Sequence, residues 1–328
     1  MRACIYEEYG PAGVVKLKEV QTPRPAPDSV LVRVHSAAVT TADWRFRASV
    51  FPRIFWLPGR LMVGLFRPRN PILGMDFSGV VEQVGAQVTR FRVGDSVFGS
   101  SSVGRRGAHA EYLVVRETDA VIHKPDSLSH HEAAAVPFGA NAALAFLRDV
   151  ARVRPGQRVL VLGGSGSVGS WAVQLAKHFG AHVTAVCSAR NLELVRSLGA
   201  DRALDYAREP ILEIGGEYDL IFDAFGATSF AACRGALADG GVFLPLETGV
   251  REMLQLLTTS FGARRRIKLG VSKNSCESLQ FIAQLLESGQ VRALVDQVYP
   301  MEQVVDAHRH VEGRHKRGSV VLALAATT

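Results

Sequence analysis

Arg158-Val-Leu-Val-Leu-Gly-Gly-Ser-Gly-Ser-Val-Gly169 is the stretch on which the reading of this chain turns. A short Val/Leu run passes directly into a glycine loop, and the loop opens a helical pattern over Ser170–Phe179. An apolar run without alternation suits a strand buried on both faces of a parallel sheet. Gly164-x-Gly166-x-x-Gly169 has the GxGxxG spacing, a weak signal alone but a specific one between a strand and a helix. On this reading Gly164 permits a tight turn, Gly166 lets the backbone approach a pyrophosphate, and Gly169 lets helix and strand pack closely. Ser165, Ser167 and Val168 complete a cradle at the positive end of the helix. The alternative is a plain glycine-rich turn.

Downstream, strands and helices alternate. His182–Cys187, Arg202–Asp205, Asp219–Asp223, Gly241–Leu246 and Ile267–Val271 read as strands, with a helix at Leu192–Leu198. That rhythm implies βαβ units and a doubly wound parallel sheet. The tail departs from it: a helix over Cys276–Glu287, a strand at Val291–Val295, a helix near Glu302–Val311 and a strand at Ser319–Ala323. It is expected to pack back onto the first domain. Upstream, Val30–Val34, Phe77–Val84, Ser96–Gly99 and Glu111–Val115 are short strands punctuated by Gly and Pro, a barrel-like all-β pattern. After Pro125, Ser129-His-His-Glu132 is a capping box, and a helical run over Ala133–Val150 is broken at Pro137-Phe-Gly139. The expected division is therefore 1–125 completed by 273–328, and 126–272.

The chain has 328 residues, 47% hydrophobic and 21% charged, which excludes a disordered or fibrous protein. Four cysteines lie far apart, and the start lacks an apolar signal-peptide run, so a cytoplasmic setting is expected. No clean apolar run reaches membrane-spanning length, so no stable membrane insertion is expected. A net charge of +7 serves solubility or marks an anionic partner. The basic residues are dispersed, which favours a phosphorylated cofactor over nucleic acid.

The residues after the second strand of the sheet choose the cofactor. NAD sites carry an acid there for the ribose hydroxyls, whereas this chain has Cys187-Ser-Ala-Arg190. Ser188 and Arg190 suit a 2′-phosphate, so NADP(H) is the expected cofactor. The alternative makes Arg190 a solvated helix-start residue.

Taken together, Ala37–Asp43, Gly74-Met-Asp-Phe-Ser-Gly-Val-Val81 with Val84-Gly85, Val93–Gly99, Ala110-Glu-Tyr112, Gly163–Gly169 and Val195-x-x-Leu-Gly-Ala-Asp201 resemble the zinc-free medium-chain dehydrogenase/reductases, the quinone oxidoreductase or zeta-crystallin group. The resemblance spans nearly the whole chain. It implies a Rossmann domain inserted in a GroES-like β-barrel catalytic domain, an active site in the cleft between them, and a homodimer formed through Rossmann sheet edges. It places Ser188, Arg190 and Tyr206 at the 2′-phosphate, Phe225, Gly226 and Leu246 at the nicotinamide half, and Asn141 near the nicotinamide ribose. The stretch Gly313–Gly318 resembles one that also approaches the cofactor. Many relatives have Asn-Pro where this chain has Thr40-Thr41, so Thr40 is either the cleft's hydrogen-bonding group or a strand-end threonine.

Zinc-dependent members of the superfamily would place a Cys near position 40, a Gly-His-Glu run near 74 and clustered cysteines near 100. This chain has Thr40-Thr41, Gly74-Met75-Asp76 and no cysteine between 5 and 186. Adjacent His130 and His131 point apart on a helix, and His308, His310 and His315 form a loose group, so no metal is expected. His109 is either a cleft-lining or a structural histidine. Hydride delivery to a quinone or an α,β-unsaturated carbonyl needs less electrophilic help, because the conjugated carbonyl takes up the charge. An enoyl-thioester reductase and a non-catalytic, RNA-binding NADPH protein are the competing readings. Phe51–Phe66, rich in large apolar groups and ringed by arginines, has three possible fates: core filling, a membrane-surface contact, or a lid over a small hydrophobic substrate. Pro58 and Gly59 are expected to interrupt a helix there.

Overall fold

The computed structural model of the chain describes residues 1–51, 53–209, 217–226, 228–259 and 264–324, with the side chains of 53–55 outside the description. Two compact units emerge: Met1–Phe138 with Asn274–Thr328, and Gly139–Lys273.

In the first unit the strands are β1 (Arg2–Ile5), β2 (Lys16–Glu19), β3 (Ser29–Val39), β4 (Asp76–Val84), β5 (Ser96–Ser100), β6 (Tyr112–Arg116) and β7 (Ala120–His123). Its helices are α1 (Thr41–Ala48), α2 (Arg53–Val63) and α3 (His130–Ala134); α4 (Pro137–Leu144) begins there and carries the chain into the second unit. The second unit holds β8 (Arg158–Leu162), α5 (Ser167–His178), β9 (His182–Cys187), α6 (Leu192–Ser197), β10 (Arg202–Asp205), β11 (Tyr218–Asp223), α7 (Phe230–Cys233), β12 (Leu237–Pro245), α8 (Val250–Thr259) and β13 (Arg266–Ile267). The chain then returns to the first unit as α9 (Cys276–Glu287), β14 (Val295–Pro300), α10 (Val304–Glu312) and β15 (Ser319–Ala323).

In the second unit the strands lie in the order β10-β9-β8-β11-β12-β13, all parallel. The first strand in sequence is central and the order reverses beside it, which is the doubly wound arrangement with its switch point between β8 and β11. The Val/Leu run is buried as its composition requires, with Val159, Leu160 and Val161 at 0% exposure. Pairing is in step: Leu162 faces Val186 and Asp223, Asp205 faces Cys187, and Asp223 faces Pro245. The strands from β10 to β12 therefore end along one line.

The first unit is built on the long β3, which pairs with β4, β6 and β15. β15 runs antiparallel to it, with Val320 opposite Val39, so the tail completes this sheet. Its core gathers Tyr6, Val32, Phe77, Val97, Leu113, Ala307 and Leu322.

Four details differ from the sequence reading. The first boundary falls at 138/139 rather than 125/126. The helical pattern does begin after Pro125, and Ser129 forms its capping box with Glu132. That helix, however, packs on the first unit's sheet. His131 Nδ1 meets Ser36 Oγ at 2.7 Å, His130 Nδ1 meets Ser78 Oγ at 2.8 Å, and Ser319 Oγ donates to the Ala135 carbonyl at 3.1 Å. Periodicity identifies a helix but not the sheet that receives it. The strand expected at Val291–Val295 starts where that segment ends, because β14 is an edge strand whose solvated residues lack an apolar run. Of the expected 267–271 strand only Ile267 pairs with β12, together with Arg266 just before it. Finally, α2 continues through Pro58. Proline removes one N–H, here that facing the carbonyl of residue 54, and one lost bond near a helix start does not end the helix.

Candidate active site

The glycine loop leaves β8 by a turn that the backbone itself draws. The N–H groups of Gly163 and Gly164 both donate to the Val186 carbonyl, at 3.0 and 2.9 Å, so pairing with β9 persists to Gly164. The Gly166 N–H then closes onto the Gly163 carbonyl at 3.0 Å. The left-handed residue is Gly163, at φ 77°, not Gly164 as the spacing suggested. Gly164 instead serves packing, since a Cβ there would lie 3.0 Å from the Ala185 Cβ. Gly169 is the tight position: its Cβ would fall 2.0 Å from the Gly163 carbonyl oxygen. Gly166 is open, with nothing closer than 3.5 Å to a built Cβ. This loop thus has one face sealed against α5 and one with room for a ligand. α5 starts at Ser167, and the first N–H groups of a helix have no intrahelical acceptor. Val168 lies within its buried first turn.

Ser165 is buried, and its Oγ accepts from the Asn191 side-chain amide at 2.9 Å. The Asn191 N–H in turn bonds the Ser188 carbonyl at 2.8 Å. Asn191 therefore ties the glycine loop to the end of β9, a positioning role that sequence reading missed because Asn at a helix start reads as an ordinary cap. Beyond β9, Ser188 is half-buried and Arg190 exposed. Tyr206 follows β10, is 60% exposed, and its N–H donates to the Cys187 carbonyl at 3.2 Å. That bond holds Tyr206 beside Ser188. No carboxylate follows β9 directly; Asp205, at the end of β10, is buried and engaged by the Ala207 N–H at 3.1 Å.

Asp223 organises the end of β11. Its carboxylate accepts from the N–H groups of Phe225, Gly226 and Thr228 at 3.1, 2.8 and 3.1 Å. Its carbonyl accepts from the Leu246 N–H at 2.9 Å, joining β11 to the end of β12. Gly226 is left-handed, at φ 73°. Phe225 lies against the loop, because a Cβ on Gly163 would be 2.9 Å from its own. α4 packs on the start of α5, where a Cβ on Gly139 would reach 2.7 Å from the Ser167 carbonyl oxygen, and Asn141 on this helix is buried. The expected cofactor residues on the loop, after β9 and β10, and after β11 and β12 thus share the carboxyl edge of one sheet, the place where doubly wound folds bind ligands. The loop and strand ends fit a dinucleotide: the backbone is open at Gly166, and Ser188, Arg190 and Tyr206 stand together beyond β9 and β10.

In the first unit Thr40 is 3% exposed and caps α1. Its hydroxyl donates to Asp43 Oδ2 at 2.6 Å and accepts from the Asp43 N–H at 3.3 Å. Asp43 Oδ1 accepts from the Gly74 N–H at 2.9 Å. The hydroxyl proton expected to face a substrate is therefore engaged within the unit, and Thr40 holds Asp43 and the Gly74 strand entry in place. Thr40-x-x-Asp43 has the same capping-box spacing as Ser129-x-x-Glu132, the signal that would have found it. His109 is fully buried, with Nε2 3.0 Å from the Ala38 carbonyl oxygen, which makes it structural. His310 pairs with Asp296 at 3.0 Å. Among the described residues no three His, Cys, Asp or Glu side chains gather as a metal site would require.

Two family models match the chain: the alcohol dehydrogenase GroES-like domain over residues 26–126, and the zinc-binding dehydrogenase domain over 198–322. The chain is 34% identical to the 2-methylene-furan-3-one reductase of Solanum lycopersicum, over 98% of this chain and 79% of that protein. It is 32% identical to the chloroplastic NADPH-dependent alkenal/one oxidoreductase of Arabidopsis thaliana, over 98% and 79%. The solved quinone oxidoreductase of Coxiella burnetii superposes with a TM-score of 0.88 at 27% identity, covering 99% of each chain. With its Rossmann sheet, GroES-like strands and relatives matched over 98% of its length, the chain belongs to the quinone oxidoreductase family of the medium-chain dehydrogenases/reductases, and it is an oxidoreductase.

Proposed function

We propose that the protein uses NADPH to reduce quinones or α,β-unsaturated carbonyl compounds, without a metal. The observation that carries the cofactor choice is the acid-free end of β9, where Ser188 and Arg190 stand with Tyr206 beside them. A nicotinamide dinucleotide, when bound, supplies the hydride. The chain's own residues hold it: the glycine loop and α5 take the pyrophosphate, Asn191 fixes Ser165, and Asp223 sets the loop of Phe225 and Gly226. Thr40 serves as the cap of α1 rather than as a substrate contact, and Asn141 is assigned to the nicotinamide ribose. The names of the tomato and Arabidopsis relatives support conjugated carbonyls as the substrate class.

Steady-state NADPH oxidation with a panel of small quinones and enones, run with a strong chelator present, is expected to show turnover. Activity lost to the chelator and restored by zinc overturns the metal-free reading, and no turnover with any acceptor overturns the enzyme assignment. NADPH should bind at least ~10-fold tighter than NADH, since a charge-assisted pair contributes about 1.5–3 kcal/mol. Arg190→Ala should erase most of that preference in fluorescence titrations, and equal affinities in the unmutated protein would refute it.

A homodimer is part of the proposal. β13 is a short edge strand, and the neighbouring α8 exposes Leu254 at 59% and Leu257 at 67%, an edge suited to a second copy. A cytoplasmic setting is supported by four free cysteines. Burial pushes the thiols of Cys4 up to about 12 and of Cys187 and Cys233 up to about 11, which keeps them unreactive. Among the described residues no helix is long and apolar enough to cross a membrane.

A further inference from the structure

The helix α2 and the turn after it form an apolar ridge that faces outward. Gly59 and Val63, four residues apart, are buried, and the ring of Phe51 packs over Gly59. Leu57 and Leu61 on the opposite side are 52% and 50% exposed, the flanking Trp56 and Met62 are 44% and 53% exposed, and Phe66 just beyond the helix is 84% exposed. Only Phe51 and Val63 of the described apolar side chains in this segment join the core, so core filling is excluded for the rest; Phe55 lies outside the described side chains. The ridge is firmly held. Tyr9 donates its hydroxyl to the Gly64 carbonyl at 2.7 Å, and the Arg60 guanidinium lies 3.7 Å over the Tyr9 ring and bonds the Leu65 carbonyl and Ser49.

Charge names the occupant. Between Asp43 and Asp76 the sequence holds Arg45, Arg47, Arg53, Arg60, Arg67 and Arg69 and no acidic residue. Arg47 is buried against Glu312 at 2.9 Å. Arg67 and Arg69 are exposed beside Phe66 and, among the described residues, pair with no carboxylate. A rigid apolar ridge bordered by unneutralised arginines matches the boundary between lipid headgroups and acyl chains in an anionic leaflet. A second copy fits less well, because a two-fold axis through this patch would set arginines against arginines. A closing lid would have no use for them.

We propose that α2 and residues 64–69 dock the protein on an anionic lipid surface as a peripheral contact. The full chain should float with phosphatidylcholine vesicles that contain phosphatidylserine, far less with phosphatidylcholine alone, and less again as salt rises. Two arginine charges near such a surface are worth roughly 30-fold in affinity, so R67E/R69E should bind more than ~30-fold weaker. L61S/F66S should also lose binding, and both variants should melt close to the parent because the side chains are exposed. Failure to bind anionic vesicles, equal binding to both vesicle types, or undiminished binding by either variant overturns the proposal. Loss of self-association in L61S/F66S without vesicle binding would assign the ridge to a second copy instead. A KM change for bulky enones without vesicle binding would make it a lid.

Discussion

Gly169→Ala is expected to abolish dinucleotide binding and to destabilise the protein by at least about 2 kcal/mol. The added Cβ would lie 2.0 Å from the Gly163 carbonyl oxygen and 3.0 Å from the Gly164 Cα. Both are backbone atoms, and Gly163 is pinned to Val186 by a 3.0 Å hydrogen bond. The helix must therefore move away from the loop, and the pyrophosphate cradle opens. Gly166→Ala is the informative partner. Its φ of −76° suits alanine and its Cβ meets nothing within 3.4 Å, so the fold should lose less than about 1 kcal/mol. Its methyl group nevertheless enters the space assigned to the pyrophosphate, and affinity should fall about as far as in the Gly169 variant. Urea unfolding and cofactor fluorescence titration measure the two effects separately. A Gly166 variant that binds normally would remove the pyrophosphate from this loop.

Asp76 should give the protein an unusual pH dependence. Its carboxyl is buried, and burial pushes it up to about 7; the Ser100 hydroxyl opposes this, the Asp43 charge adds to it, and the Phe138 N–H at 2.7 Å opposes it. A folded-state pKa above the unfolded value means that the folded chain holds the proton more tightly. The resulting stability is fully present below about pH 4 and is lost as pH rises through about 7. The shift corresponds to about 4 kcal/mol across that window. Histidines act in the opposite sense. Burial pushes His130 down to about 4 and lowers His35, His131 and His308. Their contribution is present above about pH 6.5 and falls away with acid. The two slopes offset each other in the parent, so the difference between parent and Asp76→Asn is the clean readout. The amide should gain stability relative to the parent from about pH 4 to about pH 7 and hold that gain to pH 8. A constant difference across that range would show that Asp76 is ionised throughout.

Much of this was legible in the one-dimensional pattern. The apolar run before Gly163, the GxGxxG spacing and the Ser129-x-x-Glu132 box each encode local geometry, and local geometry follows from residue type. The missing acid after Cys187 was legible for the same reason, since it is a matter of which side chain stands at one position. The spacing assigns the tight turn to Gly164 rather than Gly163, because it marks where glycines are needed without saying which bears the left-handed turn. That was decided by the reach of β9, whose Val186 carbonyl holds both Gly163 and Gly164.

The sequence alone determined the fold class, the family and the strand–glycine loop–helix unit, because these rest on short-range patterns that survive in any context. Only the tertiary structure decided what those patterns face. α3 belongs to the first unit because Ser36 and Ser78, distant in sequence, receive its histidines. Thr40 is a cap because Asp43 takes its proton. Asn191 positions the glycine loop because β9 brings it to Ser165. The apolar face of α2 looks outward although its composition resembles a core helix. In each case the deciding partner is set by packing between distant segments, and no local propensity carries that information.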